Sequence, residues 1–227
     1  MKAILISDHA KWCALMMNGD KNIEVRKGTA LYKATQKLID EYGFAEFYVY
    51  CTKNETLEYI YDCSDNFGDY ISHKGKCWGD EPLNGKVLFK FRCYKVEEII
   101  EDKAIGVPYF TTQSLLERDL CKKSCLTPYD FNDYLKGNNG SAIHISDLEI
   151  FDKPKELSEF KRTLYCDCKL RCENNLEPSF CREVCSHNLD SERLSVCCDR
   201  DGWVKGYNTG SPYLTKAPQS FMFIEVE

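Results

Sequence analysis

Gly19-Asp20-Lys21-Asn22-Ile23-Glu24-Val25-Arg26-Lys27 alternates apolar and charged side chains over its second half. Ile23 and Val25 fall on one side, Glu24 and Arg26 on the other. That period of two marks a half-buried β-strand, so the charged pair points away from the core. Lys21 and Glu24 would not share a face under strict alternation, so they meet only if Lys21 lies in the turn before the strand. Upstream, Ala3 to Ser7 is a short apolar run that reads as an opening strand. Asp8 stands where a helix N-cap belongs, ahead of a helix whose apolar face is Trp12, Leu15 and Met16 and whose stop is Gly19.

Working outward, Leu31, Ala34, Leu38 and Ile39 recur at helical spacing, which predicts an amphipathic helix over 29–43 closed by Gly43. Aromatic and β-branched runs predict strands over 47–53, 56–61, 86–95, 142–151 and 221–226. Helical stretches are expected over 112–120 and 128–136, the second opened by Thr127 as N-cap with Pro128 at the first helical position. The class is therefore α+β. Between 161 and 213 the apolar periodicity fades, and Cys, Asn, Ser and charged residues crowd together. This reads as a Cys-rich insertion before the last strand, leaving 1–160 plus 214–227 as the main body.

The 227 residues are 43% hydrophobic and 13% aromatic, which is the composition of a folded globular protein. The net charge of −6 does not suit long nucleic-acid wrapping. Residues 1–37 nevertheless hold seven Lys or Arg against three Asp or Glu, a local +4 that leaves −10 on the remainder. A basic N-terminal face on an acidic body fits a small anionic ligand or a short RNA stretch. No run approaches the ~20 apolar residues of a spanning helix, and the apolar start ends at Asp8, too soon for a secretory signal. A cytoplasmic protein without membrane contact is expected, with its fourteen cysteines read as thiols or metal ligands before disulfides.

Seven of those cysteines, Cys166, Cys168, Cys172, Cys181, Cys185, Cys197 and Cys198, crowd the insertion with His187. Tetrahedral zinc needs four such ligands, and Cys168, Cys172, Cys181 and Cys185 are the candidates for a structural site. Their x3 spacings differ from C-x2-C knuckles, so a disulfide-linked hairpin or idle thiols stand beside zinc as readings. Cys13, Cys51, Cys63, Cys77, Cys93, Cys121 and Cys125 are scattered and read as small buried apolar residues.

The stretch from Gly19 to Lys27 resembles the G-x-K-x-x-E-x-R-K signature of ASCH domains. Tyr48 to Lys53, His144 to Leu148 with Asp152 to Phe160 behind it, and Thr215 to Glu227 with Pro218-Gln219-Ser220 resemble, in the same order, a subgroup common in phages and Gram-positive bacteria. The resemblance implies a PUA-like mixed β-barrel with flanking helices, the signature strand lining a cleft that binds RNA or a modified nucleoside. One branch of that family hydrolyses N4-acylated cytidines with a Lys, a Thr three residues on and a later carboxylate. Lys21 matches the Lys, Glu24 stands at the Thr position, and Lys122-Lys123 at the carboxylate position leaves Glu117 or Asp119 as displaced substitutes. Ile143 and Phe221 also depart from the subgroup's aromatic pattern.

Lys21 and Glu24 are thus the candidate acid/base pair, or else a plain ion pair. Arg26 offers a planar fork to phosphate or a base edge, and Lys11 a second charge. Trp12, Tyr109 and Phe110 are the stacking candidates, although Trp12, on an apolar helix face, reads first as core. His144, in an alternating strand, is a possible ligand donor or a satisfied core histidine. Three readings stand: a cleft that binds RNA or a modified nucleoside or nucleotide, a hydrolase acting on an acylated nucleoside or RNA, and a protein-interaction factor of a phage or mobile element.

Overall fold

The computed structural model describes residues 1–53, 83–102, 109–162, 213–214 and 216–226. Strand β1 (Lys2–Asp8) carries the apolar run expected at the start of the chain. The chain then forms α1 (Ala10–Asn18), β2 (Ile23–Lys27) and α2 (Ala30–Tyr42) before returning as β3 (Ala45–Cys51), parallel to β1 with Ile4 opposite Phe47 and Asp8 opposite Cys51. Every residue of β3 is buried, because both of its faces are covered. Phe47, Val49 and Cys51 enter one apolar cluster, Tyr48 and Tyr50 another.

The remaining elements are β4 (Val87–Cys93), β5 (Val96–Asp102), β6 (Tyr109–Thr111), α3 (Glu117–Ser124), α4 (Pro128–Leu135), β7 (Gly140–His144), β8 (Ser146–Lys155), β9 (Lys161–Arg162) and β10 (Phe221–Glu225). Six strands form one sheet in the order β8-β4-β3-β1-β10-β9, and four form a second in the order β2-β7-β5-β6. The α+β class read from the sequence is the one observed. Two sheets surround a shared core, and among the described residues no strand pairing closes them into one ring. Ile4, Phe47, Phe89 and Phe91 from the first sheet meet Val96 and Ile143 from the second in the largest cluster. Burial of about 1.5–3 kcal/mol per large apolar side chain at this contact is what holds the sheets together.

Several elements differ from expectation. The strand predicted over 142–151 is two strands, β7 and β8, that break at Ile145 and join different sheets. The helix expected over 112–120 begins only at Glu117, because Thr112, Ser114 and Leu115 form a turn in which the Thr112 hydroxyl accepts from both Ser114 N (3.3 Å) and Leu115 N (3.0 Å). β5 and β6 had no sequence signal strong enough to predict them. α2 and α4 fall where expected, and Thr127 caps α4 in a reciprocal box with Asp130.

β10 pairs antiparallel with β1, so the C-terminal strand returns to the main sheet. Beyond β9 the next described residues lie beside that sheet: Tyr213 bridges to Lys161, and the Leu214 N–H donates to Phe160 O at 2.9 Å. The proposed strand at 56–61, the Cys-rich interior and the candidate ligands Cys168, Cys172, Cys181 and Cys185 lie outside the described residues. Among the described residues, Cys13, Cys51 and Cys93 are buried free thiols, Cys121 and Cys125 are only partly buried, and no cluster of metal-ligating side chains occurs. No described helix is long and apolar enough to cross a membrane.

Candidate ligand cleft at the carboxyl end of β1

Gly19 ends α1 in the left-handed region (φ 82°), a conformation that favours glycine, and the turn folds back so that both Asp20 N and Lys21 N donate to Leu15 O. Lys21 therefore lies in the turn before β2, which is the condition for it to meet Glu24. Its Nζ is 3.3 Å from Glu24 Oε2 and donates to Ser124 O at the end of α3 (2.9 Å). In β2, Ile23 and Val25 pack with Leu120, Phe131 and Leu135 of α3 and α4. Alternation then sends Glu24 and Arg26 to the opposite face, as predicted.

That face is deeply covered. Lys21 and Glu24 are each 3% exposed and Asp8 6%. Arg26 sets Nε 2.7 Å from Glu24 Oε1, a contact whose N–H is poorly aligned and which is better described as an ion pair than as a directed hydrogen bond. Its Nη2 donates to Asp8 Oδ2 (3.1 Å) and Ser7 O (2.9 Å). Lys21, Glu24, Arg26 and Asp8 form one chain of alternating charge. Glu24 and Asp8 outweigh the effect of burial on Arg26 and hold the guanidinium firmly charged. Asp8 behaves in the opposite way: burial first, and then the neighbouring Glu24 charge, push its carboxyl up to about 7 against the pull of Arg26 and Lys21.

Asp8 is thus a site residue that the sequence reading assigned to a helix cap. His9 is the N-cap, with extended backbone and no side-chain capping bond; Asp8 Oδ1 merely accepts from His9 N at 3.1 Å. A cleft of about 530 Å3 opens over the four charged groups. Its walls are Ser7, His9 and Trp12 from the β1–α1 turn, Thr52 after β3, Leu126, Asp130, Asp133 and Tyr134 from α4 and its approach, and Pro218 and Gln219 before β10. The position, beyond the carboxyl ends of the parallel pair β1 and β3, is where open α/β sheets commonly leave a crevice.

The other predicted site residues are distributed unevenly. Trp12 does line the cleft, but Lys21 Nζ lies 4.7 Å and Lys11 Nζ 4.9 Å from its ring, so its face is engaged by cations. Lys11 itself is exposed and outside the lining. His144 is not in the cleft: its Nε2 is 2.8 Å from Glu97 Oε2 on the other side of β7. Phe110 is wholly buried against Phe131, which removes it as a stacking platform. The side chain of Tyr109 is outside the described set. Glu117, which accepts from Phe110 N, and Asp119, paired with Arg118, do not reach the cleft. The carboxylates that do reach it besides Glu24 are Asp8, Asp130 and Asp133.

That inventory reverses one expectation. The lining carries four carboxylates against Lys21 and Arg26, both already paired, so the cleft is not basic. The sequence signal for α4's contribution was present as Asp130, Asp133 and Tyr134 at i, i+3 and i+4, one helix face opposite the buried Phe131 and Leu135.

No protein-family model matches the chain, and no curated protein matches it. Among solved structures it is similar to ASCH from Zymomonas mobilis, at 13% identity and a TM-score of 0.39 over 68% of this chain and 73% of that one. It is also similar to the N-terminal domain of McrB from Staphylothermus marinus, at 9% identity and a TM-score of 0.35 over 82% of each chain. These are remote likenesses of overall shape, and the chemistry of the cleft is read from its own residues.

Proposed function

We propose that the cleft binds the base of a nucleoside, free or carried in RNA, through hydrogen bonds to its polar edge. The supporting observation is the internally paired chain Lys21–Glu24–Arg26–Asp8 at the floor of a cleft of about 530 Å3. That volume lies in the ordinary range for small-molecule sites. Phosphate recognition relies on cations free to contact the phosphate, and here both are committed to carboxylates. A planar, uncharged base edge instead needs donors and acceptors side by side. Glu24 supplies acceptors, Thr52 and Gln219 supply both kinds, and Asp8 donates when protonated and accepts when not.

The test is calorimetric titration of the four ribonucleosides, their N-acetyl derivatives and short single-stranded RNAs at two salt concentrations. Saturable binding of at least one nucleoside, weakly salt-dependent and lost in Glu24→Gln, is expected. Binding confined to RNA, with a steep salt slope that Glu24→Gln leaves intact, overturns the reading.

Asp8 favours a second, hydrolytic reading. A cleft carboxyl that titrates near neutrality suits general acid/base work. Asp8 would take a proton from water as its oxygen attacks the acyl carbon of an N-acylated base. The C–O bond forms, the C–N bond breaks, and the departing nitrogen takes the proton, releasing a carboxylic acid and the free amine. This reading expects product from the N-acetyl nucleosides at a rate rising with pH through about 7 and abolished in Asp8→Asn. Binding without product removes it.

A further inference from the structure

Two carboxylates on the cleft wall serve none of the contacts at its floor. Asp130 and Asp133 project from α4, Asp130 half-buried and Asp133 exposed, beside Tyr134. Asp130 Oδ2 accepts from the N–H and the hydroxyl of Thr127, each at 2.7 Å. Those bonds, with the charge of Lys11, hold it below the usual carboxylate range, so it is ionised at neutral pH. The start of α4, which would otherwise present unpaired N–H groups to an anion, is thereby occupied by a negative charge of the protein's own. One turn on, Asp133 extends the same negative wall.

From this arrangement we infer that Asp130 and Asp133 set the charge selectivity of the cleft, admitting a nucleoside and rejecting the same nucleoside once it carries a phosphate. The inference rests on the base-binding reading and narrows it to ligands without phosphate. Repulsion of this kind is how a site discriminates against a ligand whose other contacts are equally good. Of the cations that might offset the repulsion, Lys21 and Arg26 lie at the floor, paired with Glu24 and Asp8, and Lys11, whose charge Asp130 feels, stands exposed outside the lining.

The experiment pairs each ribonucleoside and N-acetyl nucleoside with its 5′-monophosphate in calorimetric titrations of the full chain. For every nucleoside that binds, the monophosphate is expected to bind about tenfold more weakly or worse. The doubly substituted Asp130→Asn, Asp133→Asn protein should narrow that ratio at least threefold. Because Asp130 also caps α4, Asp133→Asn alone is the control for misfolding, and it should narrow the ratio in part. A monophosphate that binds the unaltered protein as tightly as its nucleoside overturns the inference while leaving base binding intact; so does a ratio unmoved in both variants. No binding by any compound overturns the base-binding reading and this inference with it.

Discussion

Asp8 and Glu97 are both nearly buried carboxylates, 6% and 4% exposed, and they titrate in opposite directions. Glu97, on β5, gathers donors: Ser114 N at 2.9 Å, Ser114 Oγ at 2.8 Å, Thr112 Oγ1 at 3.2 Å, Lys95 Nζ at 3.1 Å and His144 Nε2 at 2.8 Å. Burial alone would push it up, but those bonds hold it at about 2. Asp8 has Arg26 and a single backbone N–H, faces Glu24, and rises to about 7. The difference is the number of donors, and it separates two roles. Glu97 is a saturated knot that ties the 112–115 turn to β5 and β7, with no lone pair left over for a ligand. Asp8 borders open space and keeps a proton to exchange.

The strongest test of this contrast removes a charge from the middle of the cleft network. Glu24→Ala leaves Lys21 and Arg26 facing each other, buried and underpaired, and is expected to destabilise the protein by about 3–5 kcal/mol in denaturant unfolding. A loss below about 1 kcal/mol would mean that the network is solvated and that the cleft is looser than described. Glu97→Gln comes next. It strips charge from five hydrogen bonds at once, and about 1–3 kcal/mol should be lost at pH 7 while nucleoside binding survives. The contribution of Glu97 is present above its ordinary value of 4.5 and disappears as pH falls toward about 2, so the variant and the unaltered protein should converge in acid.

A third effect is one of shape. Folded Asp8 keeps its proton up to about 7, whereas the unfolded residue releases it near 3.8. Between those values the folded state binds more protons, so stability declines as pH rises through the window. The difference in thermal midpoint between unaltered protein and Asp8→Asn should therefore slope across pH 4–7, and a flat difference would place Asp8 in water.

How much of this was legible in the sequence follows from the range of the forces involved. Alternation at Ile23 to Arg26 fixed which side chains leave the core, and the Thr127-Pro128 start fixed α4, because backbone period and capping are local. The apolar run at the start of the chain likewise announced β1. Val96–Asp102 escaped because four of its seven residues are acidic, and it is a strand only through pairing with β7 and β6. Asp8 was misassigned for a related reason: an Asp before a helix is a correct local signal for a cap, and its true partner lies eighteen residues away on another strand.

Tertiary structure alone decided the sign of the cleft. A locally basic N-terminal segment remains basic on paper, but folding sets Lys21 and Arg26 against Glu24 and Asp8 and brings Asp130 and Asp133 across from a helix more than a hundred residues downstream. It likewise turned His144 toward Glu97, because β7 presents alternate residues to different clusters. Sequence determined which residues carry charge and which strand face holds them. Only the meeting of β1, β2, α4 and the segment before β10 determined which charges remain for a ligand, since pairing depends on distance in space and falls off with it.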